Sequence, residues 1–151
     1  GAENKMTKYG IKISCGIVDN ITVLEPIDDA ATVNWGDEWQ TPSAEQVDEL
    51  LSTDYTIIEW KQMLYGVNGI KITSKNNGNS IFLSAAGSGY RAYYRAAYRE
   101  QNESAYYWTR SLSTIYDGRI AEILSCQFSY DGELNVEDRY TGLPIRPVRK
   151  Q

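Results

Sequence analysis

The chain has 151 residues, and its 15 basic and 20 acidic side chains give a net charge of −5 at pH 7. The length predicts one domain, and the 42% of hydrophobic residues can supply a packed core. The negative charge argues against a nucleic-acid backbone or an anionic membrane surface as the main partner. No apolar run approaches the roughly 18 residues that membrane insertion would require.

Histidine is absent from the chain, and cysteine occurs only at Cys15 and Cys126. Catalytic Ser-His-Asp and Cys-His groups and histidine metal sites are therefore excluded, and two cysteines alone cannot form a four-ligand zinc site. No glycine-rich phosphate-binding motif occurs either, so we expect no metal and no cofactor. The two cysteines could form one disulfide or remain buried thiols, and their spacing does not decide between these alternatives.

Short patterns define the two ends of the chain. Gly1 has no Met before it, which predicts a protease scar. Residues 1–8 are expected to form an N-terminal tail, and residues 9–149 a single domain. Apolar and polar residues alternate over 11–17, which predicts a half-buried strand. Residues 145–148 are bracketed by prolines and predict a short strand at an edge.

Two short helices are predicted in the first third of the chain. Asp28 or Asp29 can cap the first helix, because either carboxylate can accept a hydrogen bond from a free N–H group of the first turn. Ser43 and Gln46 fit a capping box, and the apolar face that follows predicts a second helix to about Leu51.

Strand signals dominate the rest of the chain. Aromatic, β-branched and alternating residues predict a central strand at 80–86 and further strands at 55–60, 70–73, 106–111 and 119–128. Glycine and asparagine predict turns at 66–69, 75–79 and 130–132. This order, with helices early and strands late, predicts an α+β fold.

Tyrosine and arginine recur every four residues within the segment 87–105. That spacing would stack them on one face of a helix. However, Gly87 and Gly89 precede the repeat, and no aliphatic stripe anchors it. We therefore expect a long loop with one or two helical turns. Loops of this length in a compact domain are usually functional or disordered.

Five blocks of the chain, taken in order, resemble one known family. They are IKISCGIV at 11–18, DDAATVNWGDEWQTPSAEQVDELL at 28–51, GVNGIKITSKNNGNSIFLSAAG at 66–87, YYWTRS at 106–111 and PIRPVR at 144–149. Together they resemble the Fibrobacter succinogenes major paralogous domain family, which is abundant in the cell envelope of Bacteroides-like bacteria. The resemblance covers about residues 9–149 and departs from the family pattern at Ile13, Gln40 and Ser84.

The resemblance implies a C-type-lectin-like fold, similar to that of the variable proteins of diversity-generating retroelements. In that fold the N- and C-terminal strands pair, two helices flank the sheet, and long loops present the ligand surface. It also implies export to the cell envelope or the extracellular side. Whether the full-length precursor carries a lipid anchor is left open by the resemblance. The triplets of calcium-dependent sugar binding, such as Glu-Pro-Asn, do not occur. Fold alone would not establish a lectin.

Two segments are candidates for ligand binding. The Tyr/Arg segment 90–99 has the composition of paratopes and interface hot spots, although its tyrosines could instead pack the loop onto the domain. The mostly polar segment 130–140 includes the stretch that is diversified in the retroelement variable proteins, although it could be an ordinary solvated hairpin. The predicted ligand-binding residues are Tyr90, Arg91, Tyr93, Tyr94, Arg95, Tyr98, Arg99, Tyr130, Asp131, Asn135, Glu137, Asp138, Arg139 and Tyr140.

Aromatic and acidic residues elsewhere are assigned less specific roles. Trp35, Trp39 and Trp108 are expected in the core, whereas Trp60 could pack in the core or contact a ligand. A glycan-acting enzyme would need two carboxylates, but no spacing singles out a pair among Asp37, Glu38, Glu133, Glu137 and Asp138.

The sequence therefore predicts a non-catalytic module that recognises a glycan or a surface protein. The alternative is a structural or adhesin subunit of an envelope assembly.

Overall fold

The computed structural model describes residues 6–92, 95–115, 118–128 and 130–150. Within these ranges the chain forms two α-helices and ten strands, and every pair of named strands is antiparallel. The predicted α+β class is confirmed, with few helices and mostly antiparallel strands.

The helices are α1 (Ala30–Trp35) and α2 (Ala44–Leu51). The strands are β1 (Trp39–Gln40), β2 (Thr56–Leu64), β3 (Val67–Ser74), β4 (Ser80–Ser84), β5 (Ser88–Ala92), β6 (Arg95–Arg99), β7 (Ser104–Leu112), β8 (Ile120–Gln127), β9 (Tyr130–Asp138) and β10 (Val148–Arg149). They form two three-stranded sheets, β2-β3-β4 and β7-β8-β9, and two ribbons, β1-β10 and β5-β6.

Both helix caps form as the sequence predicts. Asp29 accepts a hydrogen bond of 2.9 Å from the N–H of Ala31 at the start of α1. At α2, Ser43 Oγ accepts from the N–H of Gln46, and Gln46 Oε1 accepts from the N–H of Ser43. These caps satisfy N–H groups that have no partner within the helix, so they fix where each helix begins.

The main core joins α2 to both three-stranded sheets. Val47 of α2 packs in one buried cluster with Ile70 and Ile72 of β3 and with Leu124 of β8. A smaller cluster, built on Tyr9, Leu112 and Ala121, holds the N-terminal segment against strands β7 and β8. The two sheets are thereby fixed to each other through α2.

The expected strand at 11–17 is wrong. Residues Ile13–Cys15 form a single 3-10 turn, and the side chain of Ile13 is 88% exposed. The Asp19 carboxylate explains the turn, because it accepts hydrogen bonds from the N–H groups of Tyr9, Gly10 and Ile21 and closes the segment on itself. Since no strand forms there, the C-terminal strand β10 pairs with β1 instead.

The segment 87–105 is not a long loop with helical turns. Residues 88–92 and 95–99 pair as the antiparallel strands β5 and β6, and residues 104–112 form β7. Glycine at 87 and 89 and alanine at 92, 96 and 97 leave no apolar stripe that could hold a helix against the core, whereas strand pairing needs no such stripe.

Three smaller expectations also fail. The turn expected at 66–69 lies one or two residues earlier, because β3 begins at Val67. The turn expected at 130–132 is the start of β9. The strand predicted at 80–86 is an edge of its sheet rather than a central strand, since the order is β2-β3-β4.

Candidate functional site

The two segments predicted to bind ligand meet at Gly89 and Gly142. The N–H of Gly89 donates to the carbonyl of Gly142 at 2.7 Å, and the N–H of Gly142 donates to the carbonyl of Gly89 at the same distance. This pair docks the base of the β5-β6 hairpin onto the chain just after β9.

The two glycines lie in van der Waals contact with each other's segments. A Cβ atom built on Gly142 would lie 3.4 Å from the carbonyl oxygen of Gly89. A Cβ atom built on Gly89 would lie 3.5 Å from the carbonyl oxygen of Gly142 and 3.7 Å from the ring of Tyr98. The aromatic ring thus takes the place of a side chain that glycine lacks.

The hairpin places its aromatic and cationic side chains on two sides. The guanidinium of Arg99 lies 4.0 Å from the centroid of the Tyr90 ring, one step diagonally across the register. A hydrogen bond with Tyr90 raises the pKa of Arg99, and Glu100 and Glu137 add to the effect. Tyr98 lies opposite Gly89 with 68% of its surface exposed, on the other side of the hairpin from Tyr90.

The end of β9 contributes acidic and aromatic groups beside this hairpin. Glu137 Oε1 accepts from the N–H of Asp138 at 3.0 Å and from Thr141 Oγ1 at 3.2 Å. Tyr140 is 81% exposed, and a hydrogen bond with Asp138 raises the pKa of its hydroxyl. The charge of Glu137 adds to this rise in pKa, and the charge of Arg99 opposes it.

Arg139 does not join this group. Its Nη1 donates to the carbonyls of Gly118 at 3.0 Å and Tyr9 at 3.3 Å and contacts the Met6 sulfur at 2.9 Å. Burial lowers the pKa of its guanidinium. The predicted ligand residue therefore anchors the N-terminal segment, and it lines a mostly apolar cavity of about 170 Å³ beside Trp108.

A larger groove of about 360 Å³ lies over one face of the sheet β7-β8-β9. We call it the sheet groove, and it is lined by Tyr106, Ser125, Gln127, Glu133, Asn135 and Glu137, among others. Asn135 and Glu137 were predicted as ligand residues, whereas Tyr106, Ser125 and Gln127 were not. They could have been identified from the strand register. It pairs Tyr106 with Ser125 and Ser125 with Glu133, so these side chains lie on the same face of the sheet.

Hydrogen bonds fix several groups of the sheet groove. Gln127 Nε2 donates to the hydroxyl of Tyr106 at 2.9 Å, and that hydroxyl donates to the carboxylate of Glu100. Burial, together with this bond to Glu100, raises the pKa of Tyr106. Asn135 Nδ2 donates to Glu133 Oε1 at 2.9 Å. The groove therefore presents oriented hydroxyl, amide and carboxylate groups.

The remaining predicted residues are located by backbone position only or not at all. Tyr93 and Tyr94 lie outside the described residues. In the hairpin register Arg91 pairs with Ala96 and Arg95 with Ala92. Tyr130 and Asp131 are the first two residues of β9.

One of the tryptophan expectations is wrong. Trp35 ends α1 with 56% of its surface exposed, because the following Gly36 turns the chain away from the core. Trp39 is half-buried, and Trp108 packs, half-buried, against the smaller core cluster. Trp60 packs against the main core and meets Phe128 edge to face.

Both cysteines are buried thiols, and no disulfide joins Cys15 to Cys126. The part of the chain that the structure describes contains no group of three or more acidic or cysteine side chains suited to a metal ion. Its helices are all too short or too polar to cross a lipid bilayer.

Comparisons of this chain with protein-family models, with curated proteins and with solved structures find no match.

Proposed function

We propose that this protein is a non-catalytic recognition module that binds a glycan or a protein. Its binding region, which we call the hairpin–β9 surface, includes both sides of the hairpin, with Tyr90 and Arg99 on one and Tyr98 on the other. Glu137 and Tyr140 complete it. The observation that carries the proposal is the pair of hydrogen bonds between Gly89 and Gly142, since it joins the two segments with ligand-binding composition.

The chemistry of this surface suits recognition. Tyr98 and Tyr140 expose large rigid rings, which give contact area at a low cost in conformational entropy. Arg99 is held against Tyr90, so its guanidinium is oriented before a ligand arrives. The mixture of ring faces with one cation and one carboxylate can stack on sugars or form the centre of a protein interface.

We further propose that the fold is C-type-lectin-like and that the protein works in the cell envelope or outside the cell. The support for this fold is the presence of two short helices early in the chain, followed by antiparallel sheets. The support for the location is the family resemblance of the five sequence blocks.

A structural subunit of an envelope assembly is the second candidate, and the turn between β2 and β3 favours it. Met63 and Tyr65 are 69% and 84% exposed there, and both have left-handed backbone angles, with φ of 53° and 55°. Exposed apolar side chains on a strained backbone are typical of sites that contact another molecule.

A binding screen with matched variants tests the proposed function. The wild type, Tyr98→Ala, Tyr140→Ala and the control Tyr55→Ala are screened against immobilised glycans and purified surface proteins. Tyr55 is 62% exposed and precedes β2, so it controls for the loss of any exposed tyrosine. We expect one ligand class to be lost with Tyr98→Ala and Tyr140→Ala only. Equal binding by all four proteins would contradict the proposal.

A further inference from the structure

We propose that the sheet groove binds a neutral, hydroxyl-rich sugar unit and discriminates against anionic sugars. This inference rests on the proposed recognition function and names its ligand class. It adds Tyr106, Gln127 and Glu133 to the binding residues. The groove's volume of about 360 Å³ lies at the lower end of the range of roughly 300–1,000 Å³ that is typical of small-ligand sites.

The hydrogen-bonding groups of the groove match sugar hydroxyls. Glu133 and Glu137 supply carboxylate oxygens that accept hydrogen bonds, and the amides of Gln127 and Asn135 supply both donors and acceptors. A hydroxyl both donates and accepts, so it can use the two kinds of group at once. Neighbouring hydroxyls on a sugar ring can therefore pair with a carboxylate on one side and an amide on the other.

Several of these groups are positioned before a ligand binds. Asn135 is held at both ends of its amide, since Nδ2 donates to Glu133 and Oδ1 accepts from the N–H of Val136 at 2.8 Å. The ring of Tyr106 is fixed through its hydroxyl by Gln127 and Glu100. Groups oriented in advance lose less entropy on binding than mobile ones do.

The floor of the groove offers a smaller apolar area. The apolar side chain of Ile123 of β8 is buried beneath it, and the half-buried ring of Tyr106 forms part of its wall. Sugar rings present C–H faces together with their hydroxyls, and such faces pack on aromatic and aliphatic surfaces. A simple ammonium ligand would use the carboxylates but neither the amide donors nor the apolar floor.

The charge of the groove sets its selectivity. Its lining residues within the described chain include two carboxylates and no lysine or arginine. A sugar with a carboxylate or sulfate would meet Glu133 and Glu137 at short range, where like charges repel. The nearby cation Arg99 is stacked on Tyr90 on the hairpin and is not part of the lining.

The test measures saccharide binding by calorimetry with the wild type, three single variants and one double variant. The probes are neutral disaccharides of glucose, galactose and mannose and the corresponding uronic acid disaccharides. The variants are Gln127→Ala, Asn135→Ala and the control Gln62→Ala, which removes an exposed amide from β2. We expect a neutral disaccharide to bind and to lose at least tenfold in affinity in the two groove variants, with Gln62→Ala unchanged. The double variant Glu133→Gln/Glu137→Gln should gain affinity for the uronic acid probes.

The other outcomes overturn the inference in distinguishable ways. Neutral sugar binding that survives both groove variants would overturn the location. Binding of the uronic acids alone would overturn the ligand class, and the proposed function would stand. Binding of a purified protein that is lost in Tyr98→Ala, without any saccharide binding, would likewise overturn the ligand class and leave the proposed function standing. If neither saccharides nor proteins bind, the proposed function fails together with the inference.

Discussion

The guanidinium of Arg99 lies over the ring of Tyr90, 4.0 Å from its centroid, across the two strands of the β5-β6 hairpin. Four-residue spacing suggested a helical stack of like residues, but the strands instead bring one arginine onto one tyrosine. This pair joins the two strands of the hairpin, and the Gly89–Gly142 hydrogen bonds hold the hairpin beside the end of β9.

Arg99→Lys should destabilise the β5-β6 hairpin, although the substitution keeps the positive charge at this position. Lysine lacks the planar guanidinium that stacks on Tyr90. An exposed cation–π contact stabilises a structure only slightly. We therefore expect the equilibrium constant for local opening of β5 and β6 to rise about two- to fivefold. Amide hydrogen exchange measures this change. Arg149→Lys, at an exposed ion pair with Glu38, is the control, and equal exchange in both variants would contradict the stacking role.

Gly87→Ala should destabilise the protein more than Gly78→Ala does. Both glycines have left-handed backbone angles, with φ of 68° and 73°. A Cβ atom on Gly87 would lie 2.0 Å from the carbonyl oxygen of Arg99, whereas Gly78 has open space around it.

The shared backbone strain cancels between these two variants, so their difference isolates the clash. We expect Gly87→Ala to lower the free energy of unfolding by about 1–3 kcal/mol more than Gly78→Ala. Urea denaturation gives both values. Equal decreases in the free energy of unfolding would contradict this prediction, because they would show that the hairpin shifts to relieve the clash without losing stability.

Asp29→Ala should be strongly destabilising. Asp29 is buried and accepts from the N–H of Ala31, and from the N–H and Oγ1 of Thr41 at 2.9 and 2.6 Å. Removing the carboxylate leaves these buried donors without a partner, which costs about 3 kcal/mol or more in total. Thermal unfolding compares it with Asp37→Ala, at an exposed position just after α1, where we expect little change.

Asp28→Asn should lower stability at neutral pH and have a smaller effect in acid. Hydrogen bonds from Lys8 and Tyr9 lower the pKa of Asp28 below its usual value. A carboxyl with a lowered pKa in the folded state stabilises the fold above its unfolded pKa, and this stabilisation is lost as the pH falls through the folded pKa. The decrease in melting temperature relative to wild type should therefore be smaller at about pH 2 than at pH 7. An equal decrease at both values would indicate a packing effect.

The sequence determined the parts of this protein that depend on neighbouring residues. The caps at Asp29 and Ser43 placed both helices, because the capping side chain and the N–H group that it accepts from are within three residues of each other. The Asn77-Gly78 turn between β3 and β4 followed for the same reason, since Gly78 supplies the positive φ that the turn needs. The α+β class then followed from the number and order of these local signals.

The tertiary structure decided what depends on residues far apart in the chain. Alternation at 11–17 predicted a strand, but the Asp19 carboxylate folded that segment into a turn. The composition of 90–99 indicated binding, but only pairing across β5 and β6 determined that Tyr98 is exposed opposite Gly89. Asn135 was a candidate from its own segment. Tyr106 and Gln127 became candidates only through the register of β7, β8 and β9, because strand pairing places side chains from distant segments on one face.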